Sequence, residues 1–219
     1  MEDFLPEDVG NFREVCAGSI ARGILFRSEH PVQNGVENKP VILRAVQAHI
    51  TSVVNLCDGK SGVRIAAAVS PWYNRLVKRD CVIGLNMSFD FAKPEFNRKL
   101  RRGLLFILAH DGPYLIHCHA GVDRTGFVCA VLEALMGGTP SEIAADYARS
   151  FLVGAESDIY QGDFAGVGTV IFNQLALVKD SETPISENLT ATAERYVSET
   201  LRLGMEMTMM LKAKLCGVA

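Results

Sequence analysis

The sequence is poor in tryptophan, with one residue in 219, and none of its six cysteines stands in a C-x-x-C pair. The cysteines, at 16, 57, 81, 118, 129 and 216, are scattered, and Met1 to Val15 holds acids and no apolar leader. That combination argues against a secreted disulfide framework and leads us to expect free thiols in a reducing, cytoplasmic compartment. A basic excess is also missing: 22 Lys and Arg against 25 Asp and Glu leave a net charge of -3, which excludes a general nucleic-acid binder. No apolar run has the length of a membrane span. The longest uncharged stretch, Phe164 to Val178, falls short of the roughly 18 residues required and carries Gly166, Gly168, Asn173 and Gln174. Repeats and low-complexity tracts are absent. What remains, 48% hydrophobic and 21% charged, is the composition of an ordinary globular domain.

Along the chain, apolar patterning alternates between strand and helix. Asn11 to Val15 and Ile24 to Ser28 read as short strands joined by a turn around Gly18 to Gly23. Pro40 to Ile50 has helical spacing, Thr51 to Cys57 is a β-branched strand, and Asp58-Gly-Lys-Ser-Gly62 is a turn. The pattern then predicts one helix over Val63 to Lys78 and a strand over Cys81 to Met87. Pro94 to His110 is the clearest amphipathic helix, with Phe96, Leu100, Leu104 and Leu108 at four-residue spacing. Arg98, Lys99, Arg101 and Arg102 take its other faces and read as a solvated surface.

Tyr114 to His117 is a short apolar strand, and an almost wholly apolar helix follows from about Arg124 to Met136. This alternation predicts an α/β fold with helices on both faces of the sheet. From Thr139 onward the pattern is helical: Pro140 to Phe151, part of Phe164 to Val178, Ala191 to Arg202, and Met207 to Leu215. Asp180 to Asn188 is a polar connector. We expect one main domain over residues 1–180 and a helical C-terminal extension over 181–219, packed on it or linked to it.

The chemistry-bearing stretch is His117-Cys-His-Ala-Gly-Val-Asp-Arg-Thr-Gly126. A strand delivers Cys118 to a loop that opens a helix, whose unpaired N–H groups and partial positive charge favour a phosphate dianion. The same field favours a thiolate at Cys118. Gly121 lets successive amides turn toward one centre, so that His119, Ala120, Gly121, Val122 and Asp123 can curl around a single phosphoryl group. Arg124 offers a bidentate fork, and Thr125 can give its hydroxyl to the sulfur.

This Cys-x5-Arg-Thr segment, preceded by His117, resembles the signature loop of the cysteine-dependent protein-tyrosine phosphatase superfamily. It is similar above all to bacterial tyrosine and dual-specificity phosphatases, and Asn11 to Val15 and Gly23 to Ser28 are similar to the start of those domains. The resemblance covers about Asn11 to Phe151. It implies a central four- or five-stranded, mostly parallel sheet, a phosphocysteine intermediate, neither metal nor cofactor, and an aspartic general acid on a mobile loop. Asp90, in Ser88-Phe-Asp-Phe-Ala-Lys-Pro94, occupies the position for that acid, between a predicted strand and a predicted helix.

Phosphotyrosine is the substrate class this resemblance favours, with dual specificity as a variant. The partner is then a phosphorylated protein or a small phosphate ester, with no nucleic acid and no membrane span. An inositol-polyphosphate (phytase-like) or phosphoinositide phosphatase using the same loop is the alternative. Val122 and His119 stand where lipid-directed members often carry a lysine, which counts against a phosphoinositide. Sulfurtransferases and arsenate reductases also bind anions at cysteine loops, and a phosphoprotein-binding module without turnover would have lost Cys118, Arg124 or Asp90.

Asp123 is a second carboxylate beside the phosphate, an alternative acid or a bond to the loop's own backbone. His117 is expected to support the loop by hydrogen bonding, and His119 to line its mouth or lie exposed. Gln161 is a weaker candidate for holding the hydrolytic water. Cys129 reads as core, and Arg27 and Asp58, at strand ends, as structural.

Overall fold

The structure, a computed structural model, describes residues 9–91, 93–151 and 189–218. Its strands are β1 (Arg13–Glu14), β2 (Leu25–Ser28), β3 (Val32–Gln33), β4 (Val36–Glu37), β5 (Ser52–Asn55), β6 (Val82–Gly84) and β7 (Tyr114–His117). Five of them form one sheet in the order β1-β2-β7-β5-β6. Only β1 is antiparallel to its neighbour, and the other pairings are parallel. The α/β class and the mostly parallel central sheet therefore hold.

Central strands of a parallel sheet are covered on both faces, so their side chains are buried whichever way they point. Ser52–Asn55 and Tyr114–His117 are buried at every position. Alternate residues serve different layers. Val53 and Leu115 pack with α1 (Lys39–Gln47), α2 (Lys60–Val69) and α3 (Pro71–Val77). Val54 and Ile116 pack on the opposite face with α4 (Pro94–Ala109), α5 (Asp123–Leu135) and α6 (Pro140–Arg149). Two later helices, α7 (Leu189–Arg195) and α8 (Met205–Leu215), place Leu189, Ala193, Leu211 and Leu215 in that second core.

The single helix expected over Val63 to Lys78 is two. Ser70 is extended, and Pro71, which has no N–H to donate, begins α3 while the Ser70 side chain accepts from the Tyr73 amide. The helix expected over Ala191 to Arg202 likewise passes into a π-helical turn at Tyr196–Thr200. The β3–β4 hairpin escaped the pattern altogether. Asn34 and Gly35, both at positive φ, supply its turn between strands of two residues. The expected helix within Phe164 to Val178, the connector Asp180 to Asn188, the 180/181 boundary and Gln161 lie outside the described residues.

Candidate active site

Register places Ser28, His117 and Asn55 level with one another at the C-terminal ends of three adjacent parallel strands. Cys118 follows directly and is buried. The segment 118–122 then crosses to the first residue of α5, Asp123. Crevices beyond the carboxyl ends of parallel strands are where open α/β sheets bind ligands.

The backbone of this loop is polarised. The Cys118 carbonyl faces Nδ1 of His117 at 3.3 Å. The His119 carbonyl accepts from the His30 amide at 3.0 Å and from Gln33 Nε2 at 3.0 Å. The Ala120 carbonyl accepts from Asn11 Nδ2 at 3.0 Å, and the Gly121 carbonyl from Arg27 Nη2 at 2.8 Å. The Val122 carbonyl accepts from the Gly126 amide at 2.6 Å. None of the amides of His119, Ala120, Gly121, Val122 and Asp123 has a partner among the described residues. Carbonyls tied outward and amides left unpaired give an anion-binding nest at the start of a helix.

Two glycines permit this path. Gly121 has a φ of 72°, and a Cβ there would lie 2.6 Å from the Ser28 carbonyl and the Glu29 amide. Gly126 turns toward the ring of Tyr147, which a Cβ would meet at 2.5 Å. The two glycines therefore hold the loop against β2 and α5 against α6.

Arg124 is largely buried, and its Nη1 donates to the Met87 carbonyl at 3.1 Å. Its Nε, like Thr125 Oγ1, is buried with no partner among the described residues. An arginine with one nitrogen anchored and its Nε unengaged retains donors for an oxyanion. Phe89 covers the guanidinium, its ring centroid 4.2 Å from Cζ. Two residues on, Phe91 stacks on Phe127 at 4.5 Å and meets Phe96 edge-on at 5.0 Å. Asp90 stands between these two anchored rings, exposed, with Oδ2 3.0 Å from Lys93 Nζ. Asp123 occupies the first turn of α5, half-buried, and His119 and Ala120 are exposed at the mouth.

Beneath the loop lies a buried polar cluster. His117 is fully buried, and burial together with the neighbouring His30 holds its pKa well below the usual value of 6.5. Its Nε2 faces Tyr73 Oη at 3.5 Å, and Asn55 Nδ2 donates to that oxygen at 3.1 Å. The contacts assign a neutral ring that carries its proton on Nδ1, toward the Cys118 carbonyl. Asp58 is 2.8 Å from His30 Nε2, and that hydrogen bond, with one from Asn55, holds its carboxyl down at about 2.

Cys57 Sγ and the rings of His30 and His117 offer ligand atoms within 4.8 Å of one another. His30, however, accepts from the Val32 amide through Nδ1 and faces Asp58 through Nε2. It has no lone pair to give a metal ion in this arrangement. Burial raises the Cys57 thiol to about 12, and Cys129 to about 12 within the core of α5.

Sequence reading missed the groups that tie the loop's carbonyls. Arg27, read as structural, reaches Gly121, while Asn11 and Arg13 were visible only as parts of a strand. The basic run on α4 is partly engaged elsewhere: Lys99 pairs with Glu95 at 2.8 Å, and Arg101 Nε donates to the Arg202 carbonyl at 3.1 Å.

A cysteine held in an amide-lined loop between a central parallel strand and a buried helix, with an arginine behind it, is the architecture of a cysteine-dependent phosphatase. The profile of the Tyrosine phosphatase family matches residues 85–217, more than half of the chain, and the chain belongs to that family. Over 53 residues it is 47% identical to the Triple specificity protein phosphatase PtpB of Mycobacterium tuberculosis, a match covering 24% of this chain and 19% of that protein. The match thus spans about a fifth of that relative's length.

Among solved structures the chain is similar to the core catalytic domain of the PP-IP phosphatase SIW14 from S. cerevisiae in complex with citrate. Identity there is 20%, over 76% of this chain and 95% of that one, with a TM-score of 0.44. A second structure of the Siw14 catalytic core gives 19%, 78%, 88% and 0.46 for the same quantities. Among the described residues no helix is long and apolar enough to cross a membrane.

Proposed function

We propose that this protein hydrolyses phosphate monoesters in two steps through a phosphocysteine at Cys118. The observation that carries this reading is the polarity of the loop from Cys118 to Asp123: every carbonyl from 118 to 122 has a protein partner, and the amides of 119–123 have none among the described residues. Such a cup stabilises the equatorial oxygens of a phosphoryl group in transfer. Arg124 completes it with a charged fork, and Thr125 lies buried with its hydroxyl available to the departing sulfur.

In the first step the Cys118 thiolate attacks phosphorus, the ester P–O bond breaks, and Asp90 protonates the leaving oxygen. In the second, Asp90 as base takes a proton from water, the water oxygen bonds to phosphorus, and the P–S bond breaks to release inorganic phosphate. The position of Asp90 supports this role, between two rings anchored on Arg124 and Phe127. His117 supports the loop as a neutral hydrogen-bonding group. No step calls for a metal ion.

Membership of the Tyrosine phosphatase family and the name of the mycobacterial relative both favour a phosphorylated protein as substrate, with tyrosine first and serine or threonine admitted. The test is turnover of p-nitrophenyl phosphate in EDTA by wild type and Cys118→Ser, followed by phosphotyrosine peptide, phosphoserine peptide, phosphoinositide and inositol phosphates. Vanadate-sensitive turnover, abolished in the serine variant and greatest on phosphotyrosine peptide, is expected. Full activity in Cys118→Ser would sink the mechanism, and a preference for an inositol phosphate would replace the substrate class.

A further inference from the structure

The amides of the loop face one way because something holds the carbonyls the other way, and the holders lie far off in sequence. Asn11 Nδ2 donates to the Ala120 carbonyl at 3.0 Å and to the Ser150 carbonyl at 3.3 Å. Arg27, fully buried, donates through Nη2 to the Gly121 carbonyl at 2.8 Å and to Ser150 Oγ at 3.0 Å, while its Nη1 pairs with Asp146. Arg13 grips the other oxygen of Asp146 at 2.7 Å and reaches Asn11 Oδ1 at 3.3 Å and Ser150 Oγ at 2.8 Å.

We infer, on the basis of the function proposed above, that Asn11 and Arg27 are positioning residues that set the polarity of the phosphate cup. A peptide unit is a single rigid plane. Tying the Ala120 carbonyl outward turns the Gly121 amide inward, and tying the Gly121 carbonyl outward does the same for the Val122 amide. A free peptide in this loop could rotate and present an oxygen to the anion, which would repel it.

Arg27 suits this post because its fork binds two directions at once, carbonyl on one side and carboxylate on the other. Burial disfavours its charge, but the Asp146 carboxylate beside it outweighs that penalty and raises its pKa. The guanidinium therefore stays charged. Asn11 suits its post because it sits at a φ of 55°, a left-handed conformation that asparagine tolerates. The two residues also join the loop to α6 through Ser150 and Asp146, so the cup is braced from a helix that carries none of the chemistry.

The decisive variant is Asn11→Asp. Aspartate tolerates the same φ and keeps an oxygen for Arg13, but it has no donor for the Ala120 carbonyl. Alkylation of Cys118 by iodoacetate and by iodoacetamide, followed at that residue by mass spectrometry, reports whether the cup still attracts an anion. We expect the ratio of the two rates to fall at least fivefold in Asn11→Asp, and the inhibition constant of vanadate to rise at least tenfold with a smaller change in kcat. Arg27→Lys should move both quantities in the same direction, and Asn11→Ala serves if the aspartate variant fails to fold. Wild-type alkylation ratios in folded Asn11→Asp or Asn11→Ala would overturn the inference, whatever their melting temperatures. A wild-type protein that prefers iodoacetate yet turns over no phosphate ester would sink the proposed hydrolysis and leave the positioning role intact.

Discussion

The ring of Phe89 lies 4.2 Å from the guanidinium carbon of Arg124, and the residue that follows it is Asp90. The two groups proposed for phosphate binding and proton donation are thereby linked through one exposed aromatic side chain. An exposed cation–π contact is worth about 1 kcal/mol, about a fivefold effect. Phe89→Ala is expected to lower kcat/KM on an aryl phosphate by that factor, and Phe89→Leu to recover little of it. Unchanged kinetics in both variants would show that the ring merely rests there.

Asp90 and Asp123 make opposite predictions. Loss of a general acid costs on the order of a hundredfold when the leaving group is poor, and less when it departs unaided. Asp90→Asn should therefore slow phenyl phosphate hydrolysis much more than p-nitrophenyl phosphate hydrolysis, with at least a tenfold loss on the former. Asp123→Asn should treat the two esters alike. Steady-state rates on the pair decide which carboxylate donates, and the reverse pattern would transfer the role to Asp123.

His117 predicts a pH dependence of stability. Its folded-state pKa lies well below 6.5, so between that lowered value and 6.5 the unfolded chain binds a proton that the folded protein does not. Stability from this group is complete above about pH 6.5 and declines as the pH falls, by at most about 1.4 kcal/mol per unit. Urea unfolding at pH 7 and pH 5 should show the decline, and His117→Gln should flatten it. An equal slope in the variant would assign the effect to other groups.

Gly121→Ala is expected to be among the most damaging single substitutions in the loop. It combines a φ of 72° with a Cβ set 2.6 Å from β2 backbone, and strain of this kind costs roughly 1–3 kcal/mol per residue. Lower thermal stability and loss of vanadate binding are both predicted. A variant that binds vanadate as wild type would mean that the loop has a second path past Ser28.

The elements most legible in the sequence were those with local causes. Tyr114 to His117 reads as a buried strand because all four residues are compatible with burial and Gly112-Pro113 precedes them. The helix of α5 and its glycine-bearing entrance were equally plain, as was Asp90 between a strand and a helix. The break at Ser70-Pro71 was also local, but the apolar periodicity runs across it and concealed it.

Asn11 and Arg27 could not be read in the same way. Asn11 meets a carbonyl 109 residues away, and Arg27 meets one 94 residues away. No periodicity encodes such a partner, since it exists only once the sheet has brought β2 beside β7. A buried arginine in an apolar strand was the available sign: a charge there needs a partner, and the partners were the loop and Asp146.

The bracing of the loop by Asn11 and Arg27 bears on how catalytic competence is recognised. On the positioning role inferred above, a chain could keep Cys118, Arg124 and Thr125 in perfect order and still hold phosphate poorly if either distant donor were replaced. The ten-residue signature would then be insufficient by itself to report a cup that binds phosphate tightly. Scoring the two remote positions together with the signature would separate tight cups from loose ones.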